Sequence, residues 1–478
     1  MSPYHRIIQG LKRIFQKSDL HSTITSQSAL DLPQVTVAAK HHKPAVIPRN
    51  QHTISRKKIS PNAVKVLYRL HNDDYQSFLV GGGVRDLLLG KSPKDFDIAT
   101  NAHPEEVDKL FRNCRLIGRR FRLAHVHFGR EIIEVATFRA QHGDTAAAQP
   151  QPTGKISGAG VVRDGMIIRD NVYGTLEDDA WRRDFTINAL YYNIANFTVV
   201  DYTGGMQDLK AKRIRLIGDP LQRYQEDPVR MLRALRFAAK LDFTLDKDTE
   251  SPIYDMGHLL SNIPPSRLYE ECLKLFLGGQ GKKSFDLLIK YQLLPHLFAN
   301  VEKHLQKSEG LALIHAALDS TDQRITQNKP VTPAFIFSAL LWEPLQTQMQ
   351  ILETEGMNKQ DALFEASHQI GGRHHQQVNI PKRIALNMRE IWHMQLRLER
   401  NRQGKRAIKL LGHPRFRAAY DFLVLRAKVN PELQDLADFW TQFQEENPQE
   451  VARFTEPKKR RPYQKRRRPQ KKTDESSK

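Results

Sequence analysis

The strongest constraint on the fold is a short apolar run, Phe78-Leu79-Val80, that stops at Gly81-Gly82-Gly83 and continues as the helix-like stretch VRDLLLG. A strand broken by glycines and resumed as a helix presents backbone amides at a helix start, and the glycines let a ligand approach the main chain closely. Shortly afterwards Asp95-Phe96-Asp97-Ile98 alternates polar and apolar at the period of a strand. Asp95 and Asp97 then share one face while Phe96 and Ile98 turn to a core. Two familiar phosphate motifs fail here. A P-loop ending at Gly90-Lys91-Ser92 needs glycine where Arg85 stands, and a dinucleotide fingerprint begun at Gly81 and Gly83 needs glycine where Asp86 stands.

Adjacent carboxylates repel one another unless cations lie between them, which is the arrangement that two-metal phosphoryl transfer requires. A DxD pair by itself is more often a solvated turn or a strand edge. Coupled to a preceding Gly-Gly-x-Val-Arg-Asp element it is specific. Gly81, Gly82 and Asp86 belong to the expected triphosphate cradle, and Arg85 can offer the phosphates a charged fork. Glu134 is an acid inside the otherwise apolar strand Ile132-Ile133-Glu134-Val135-Ala136. A buried charge needs a partner. That partner is either a metal or a salt bridge to Arg139 or Arg122.

GGGVRD with DFD, EVATFR, RRDFTINAL and EDPVRMLRALRFAAKL, in this order over residues 60–280, resembles the class II nucleotidyltransferases, the family of bacterial poly(A) polymerases and CCA-adding enzymes. The resemblance implies an α/β nucleotidyltransferase head, a mixed β-sheet with helices, followed by an all-α neck and body. It implies two Mg²⁺ ions (Mn²⁺ as a substitute) on Asp95, Asp97 and Glu134, with Asp184 in a further active-site motif beside Arg183 and Asn188. Glu226, Asp227 and Arg230 match the segment that reads the nucleotide base. A carboxylate accepts from an exocyclic amine while a guanidinium donates to the adjacent ring nitrogen, which selects adenine or cytosine. Arg233 and Arg236 follow at helical spacing, as a solvated basic face or an RNA-backbone contact. His125 and His127 alternate on a strand, but their arginine-rich surroundings disfavour a metal site.

Within the family, Leu116-Ile117-Gly118-Arg119-Arg120-Phe121-Arg122 resembles the segment that marks bacterial poly(A) polymerases, and it makes Arg119, Arg120 and Arg122 candidate RNA contacts. The charge agrees. Lys and Arg outnumber Asp and Glu by 74 to 53, a formal +21, which favours a polyanionic partner. Part of that excess lies in a C-terminal tail with Lys458, Lys459, Arg460, Arg461, Arg466, Arg467 and Arg468. A flexible polycation holds varied RNA backbones without reading sequence. The basic segment 397–409 and the following HPRFRAAYDF suit an RNA path or a solvated face.

The expected activity is therefore ATP-dependent, template-independent polyadenylation of RNA 3′ ends with release of pyrophosphate, marking transcripts for decay. A CCA-adding enzyme is the alternative, and a non-catalytic RNA-binding protein on the same scaffold is a second. The partners are varied transcripts and RNA-decay proteins, not DNA. No apolar run is long enough to span a bilayer, and Cys114 and Cys272 form no metal motif, so the cytoplasm is expected, with membrane-surface contact by the basic first helix left open. The expected division is a mostly disordered basic leader over 1–58, the head over 59–200 with its first helix starting at Ser60-Pro61 as N-cap and first helical position, a neck over 201–280, a helical body over 281–445 with Trp392 and Met394 packed in a helix and His374-His375 in a surface loop, and a disordered basic tail over 446–478.

Overall fold

Order begins before the expected boundary at Ser60. In the computed structural model, which describes residues 43–118, 122–140, 161–163, 166–169, 172–305, 308–372 and 377–450, strand β1 (Ala45–Ile47) already closes one edge of the main sheet. Ile54 and Ile59 are buried beyond it. The leader thus contributes to the head, because its few apolar residues complete a core built from distant segments. The first helix, Arg119, Arg120, residues 141–160, His374-His375 and the tail from Lys458 to Arg468 lie outside the described residues.

Helix α1 (Pro61–Asn72) starts as the sequence predicts, with the Ser60 side chain accepting from the Asn62 amide and Pro61 in the first turn. Ala63, Val66, Leu67 and Leu70 form its buried stripe. Strand β2 (Ser77–Val80) is buried throughout and ends at Gly81, whose φ of 70° turns the chain into α2 (Gly82–Leu88). There follow β3 (Asp97–Thr100), α3 (Pro104–Leu110), β4 (Cys114–Ile117), β5 (Leu123–Phe128) and β6 (Glu131–Thr137), with Gly129 at φ 64° in the tight turn between the last two. A separate small ribbon, β7 (Val161–Arg163) with β8 (Met166–Arg169), precedes α4 (Leu176–Arg182).

Two strands that the sequence did not reveal, β9 (Leu190–Asn193) and β10 (Val199–Asp201), complete an eight-stranded sheet in the order β1-β10-β9-β2-β3-β6-β5-β4. Leu190, Tyr191 and Tyr192 are all buried, so β9 shows no alternation and its run cannot be told from a buried helix by period. All pairings in this sheet are antiparallel except β3 with β6, which run parallel with α3, β4 and β5 in the crossover between them. One sheet face packs into the large core. The other, with Phe78, Val80, Ala99, Tyr191 and Val200, packs under Phe138 and Ala180.

Asp201 at the end of β10 accepts from the amides of Thr203, Gly204, Gly205 and Met206, turning the chain into α5 (Gly205–Lys210). Helices α6 (Pro220–Glu226) and α7 (Val229–Leu241) carry the main core into a region that is helical as far as Glu446 apart from the short strand Thr244–Leu245, which pairs in parallel with Arg213–Ile214. Within it lie α8 (Pro265–Phe276), α9 (Lys359–Ile370), α10 (Lys382–Arg400), α11 (Gly404–Leu411) and α12 (Phe416–Val429). Trp392 and Met394 pack inside as read from sequence, the Trp392 indole donating to the Ser338 carbonyl at 3.1 Å. A second apolar cluster around Trp440 joins the end of α10 to α11 and α12.

Candidate active site

Asp97 opens β3, and the parallel register sets it directly beside Glu134 of β6. Phe96 and Ile98 are buried while Asp95 and Asp97 are exposed, the alternation the sequence predicts. Burial of its surroundings, the charge of Glu134 and that of Asp95 push the Asp97 carboxyl up to about 6, against the opposing pull of Arg183 and His125. Three acids therefore repel one another at one sheet end. Among the described residues no three His, Cys, Asp or Glu side chains converge closely enough to hold an ion as they stand. The donor set is all oxygen apart from His125, whose Nε2 is 3.4 Å from Glu134 Oε2, and hard divalent cations such as Mg²⁺ suit it. Of the two arginines weighed as partners of Glu134, Arg122 pairs instead with Glu105 at 2.8 Å.

Asp97 and Glu134 line a cleft of about 260 Å³ together with Arg139, Arg182 and Arg183. Arg183 follows α4 and is fixed by two buried groups. It donates to Asp179 at 2.9 and 3.1 Å and to the Tyr191 hydroxyl at 2.8 Å, and Tyr191 itself donates to Asp179 at 2.7 Å. Its Nη1 stands 3.6 Å from where a Cβ on Gly81 would be, so a guanidinium does face the glycine turn. Burial, and then the charges of Arg139, Arg183 and Arg223, push Arg182 down to about 8. A guanidinium keeps its proton in proteins. The shift therefore reports burial first and, after it, the positive charge of the neighbouring arginines. Sequence reading overlooked Arg139 in this role, Arg182, Asp179 and Tyr191. The doubled Arg182-Arg183 was the one signal, and nothing in the sequence joined it to Tyr191.

Arg85 takes a different place. It is 2% exposed, donates to Asp86 at 2.7 and 2.9 Å and to Asn188 at 2.7 Å, and lies over the Phe237 ring of α7. The expected phosphate fork is thus a buried strut beneath the turn, because its donors face Asp86 and Asn188. Asn188 passes the linkage on by donating to Asp184 at 3.2 Å. Asp184 is not with the cleft acids. Its carboxylate accepts from Arg233, the Nε at 2.8 Å, and from the Phe185 amide at 2.8 Å. Burial pushes Asp184 up, and Arg233, Asn188 and the Phe185 amide overcome this and hold it at about 2.

The segment expected to read the base is also internally bonded. Glu226 accepts from Arg223 at 2.8 Å and from Arg230 at 3.0 Å, while Asp227 accepts from Arg267 of α8 at 2.7 Å. Arg223 further donates to the carbonyls of Arg182 and Arg183 at 2.7 and 2.6 Å, which ties this segment to the cleft arginines. Arg233 and Arg236 do not form a solvated face. Arg233 is committed to Asp184, and Arg236 packs over Phe237 with Glu271 3.8 Å away.

Comparison with known proteins places this geometry. Residues 77–215 match the family described as Poly A polymerase head domain, 242–305 the Probable RNA and SrmB- binding site of polymerase A, and 355–473 the Polymerase A arginine-rich C-terminus. The chain is 50% identical to Poly(A) polymerase I of Escherichia coli O6:H1 across 91% of its own length and 95% of that protein. It is 37% identical to the CCA-adding enzyme of Lactobacillus helveticus, across only 48% of its length and 53% of that enzyme. The Bacillus stearothermophilus CCA-adding enzyme in complex with CTP shares the fold, with a TM-score of 0.54 at 24% identity over 81% of this chain and 82% of that one. No helix among the described residues is long and apolar enough to cross a membrane.

Proposed function

Given that this chain belongs to the bacterial poly(A) polymerase family and is a nucleotidyltransferase acting on RNA 3′ ends, we propose that its own acids and arginines carry out polyadenylation by two-metal phosphoryl transfer. The RNA 3′ oxygen forms a bond to the α-phosphorus of ATP, the bond from that phosphorus to the β-phosphate oxygen breaks, and pyrophosphate leaves. Asp95, Asp97 and Glu134 would hold the divalent ions. When bound, such ions lower the pKa of the attacking hydroxyl and neutralise charge on the phosphates. The observation that carries the reading is the pairing of Asp97 with Glu134 beside an arginine-lined cleft at the Gly81 turn.

Each side chain then has a part. Gly81 and Gly82 let the triphosphate approach the backbone, and Arg183, held by Asp179 and Tyr191, supplies the charged donor there, with Arg139 and Arg182 adding positive field. Arg85, Asp86, Asn188 and Asp184 position these elements from below. Asp227 and Arg230 read the base edge, each keeping donor or acceptor capacity beyond its present bonds. Arg122 and the basic tail hold the RNA backbone. The matched arginine-rich C-terminus supports polyadenylation of many RNAs over completion of one tRNA end.

The test supplies each nucleoside triphosphate separately, with Mg²⁺, to a generic RNA and to a tRNA lacking its CCA end. Long runs of A on the generic RNA are expected. Addition of only C, C and A to the tRNA would assign the chain to the CCA-adding branch instead.

A further inference from the structure

We propose that a cleft between α9 and α10, in the arginine-rich C-terminal region, is a subsite for one nucleotide of single-stranded RNA upstream of the reacting 3′ end. The proposal rests on the reading of the chain as an RNA-tailing enzyme and adds a place where the growing strand is held. The cleft has a volume of about 290 Å³ and is lined by Phe364 and His368 of α9, Arg389, His393 and Arg397 of α10, and His413 in the turn between α11 and α12. That is close to the lower bound for ligand sites and suits a single nucleotide unit.

Phe364 is 56% exposed although large and apolar. Its ring centre lies 4.4 Å from that of His368, tilted by 48°, and meets His393 edge-on at 6.0 Å, so the Phe364 ring is held by two histidines while part of it opens to solvent. Two guanidiniums share the depression, and the buried Arg389 Nε has no hydrogen-bond partner among the described residues. A buried donor without a partner is costly. The acid in the cleft, Glu390, is taken up by Arg415 at 3.0 Å. The histidines present rings more than convergent lone pairs. His368 Nδ1 bonds the Phe364 carbonyl at 2.9 Å, His393 Nε2 bonds Ser367 at 3.0 Å, and His413 Nδ1 accepts from the Arg415 amide at 3.2 Å. Neither Arg389 nor Arg397 pairs with an acid among the described residues, and exposed rings beside such cations are the means by which proteins hold single-stranded RNA, the base stacking on the ring and the phosphate meeting the cation. The lining is largely apolar and includes the exposed Leu386, which suits the face of a base, while the two guanidiniums suit the adjoining phosphate.

The experiment uses the full chain and two oligoadenylates, one short enough to fill only the catalytic cleft and one long enough to reach the C-terminal region. Phe364→Ala and Arg389→Gln are each expected to weaken binding of the long oligomer by roughly 5- to 30-fold, the loss of about one stacked base or one phosphate contact. Binding of the short oligomer, and AMP addition to it from ATP, stay at the wild-type level. That activity reports the polymerase reading separately, so its loss in the wild-type chain would sink that reading and not this one alone. Wild-type affinity of both variants for the long oligomer overturns the subsite, including the case where Phe364→Ala instead loses a protein partner. If Phe364→Ala weakens both oligomers alike, Phe364→Tyr decides. Restored long-oligomer affinity supports stacking, and failure to restore it overturns the proposal.

Discussion

Asp97 and Glu134 stand side by side in register on β3 and β6, the one parallel pair in the eight-stranded sheet. Neighbouring strands put such partners on the same face at close range, and like charges there are unfavourable without a cation. The chain keeps both acids and places Asp95 next to them, while the surrounding strands are apolar.

Asp97→Ala is expected to reduce AMP incorporation by at least about a thousandfold, the several kcal/mol that metal-ion stabilisation of the transition state supplies. RNA affinity should change little, because phosphate contacts elsewhere hold the strand. Single-turnover incorporation and a filter-binding titration on the same preparation separate the two. Incorporation that survives the substitution would remove Asp97 from the mechanism.

The raised pKa of Asp97, about 6 in the folded chain, against about 4 when unfolded, makes its ionisation a burden on the metal-free fold. Both states are protonated well below pH 4, so nothing is lost there. As pH rises from about 4 to 6 the unfolded chain gives up its proton first and stability falls. Asp97→Asn should therefore raise the melting temperature of chelator-treated protein at pH 7 and leave it unchanged near pH 4. Adding Mg²⁺ should stabilise the wild type and have much less effect on the variant.

Asp184 has the opposite sign. Its carboxyl is held at about 2, below the unfolded value near 4, so its contribution is present above pH 4 and is lost as pH falls toward 2. Arg233→Met strands that carboxylate and should destabilise the fold by about 3 kcal/mol at pH 7. The deficit should narrow in urea titrations as pH falls from about 4 toward 2. A constant deficit would mean that Arg233 acts through packing alone.

Tyr191→Phe removes one of the two groups that hold Arg183. A hydrogen bond to a charged group is worth about 1.5–3 kcal/mol, so the KM for ATP should rise by about tenfold or more. RNA affinity should be unaffected. An unchanged KM would show that Asp179 alone fixes the guanidinium.

Gly205→Ala should destabilise the fold by about 3 kcal/mol, since a Cβ there would run into the Thr186 carbonyl oxygen. Gly90→Ala meets no atom within 4 Å but sits at φ 74°. It should lose only about 1–2 kcal/mol, from backbone strain. Urea midpoints of the two variants give the comparison directly.

The elements legible in the sequence were those with a local signature. Alternation placed Asp95 and Asp97 on one face, the glycine run marked the end of β2, and Ser60-Pro61 marked the start of α1. β9 was missed because burial on both faces erases its period, and β1 because three residues with no partner in view carry no signal.

Residue chemistry alone therefore determined that this chain carries a glycine turn, paired acids and an excess of positive charge, since those properties reside in short segments. Only the tertiary structure decided which arginine fronts the cleft. Arg183 does so because Tyr191 and Asp179 hold it there, whereas Arg85 is drawn under the turn by Asp86 and Asn188. It also decided that Asp184 belongs to Arg233 and Asp227 to Arg267. Such partners come from segments far apart in the chain, and pairing between them depends on how the helices pack against the sheet, which no local pattern encodes.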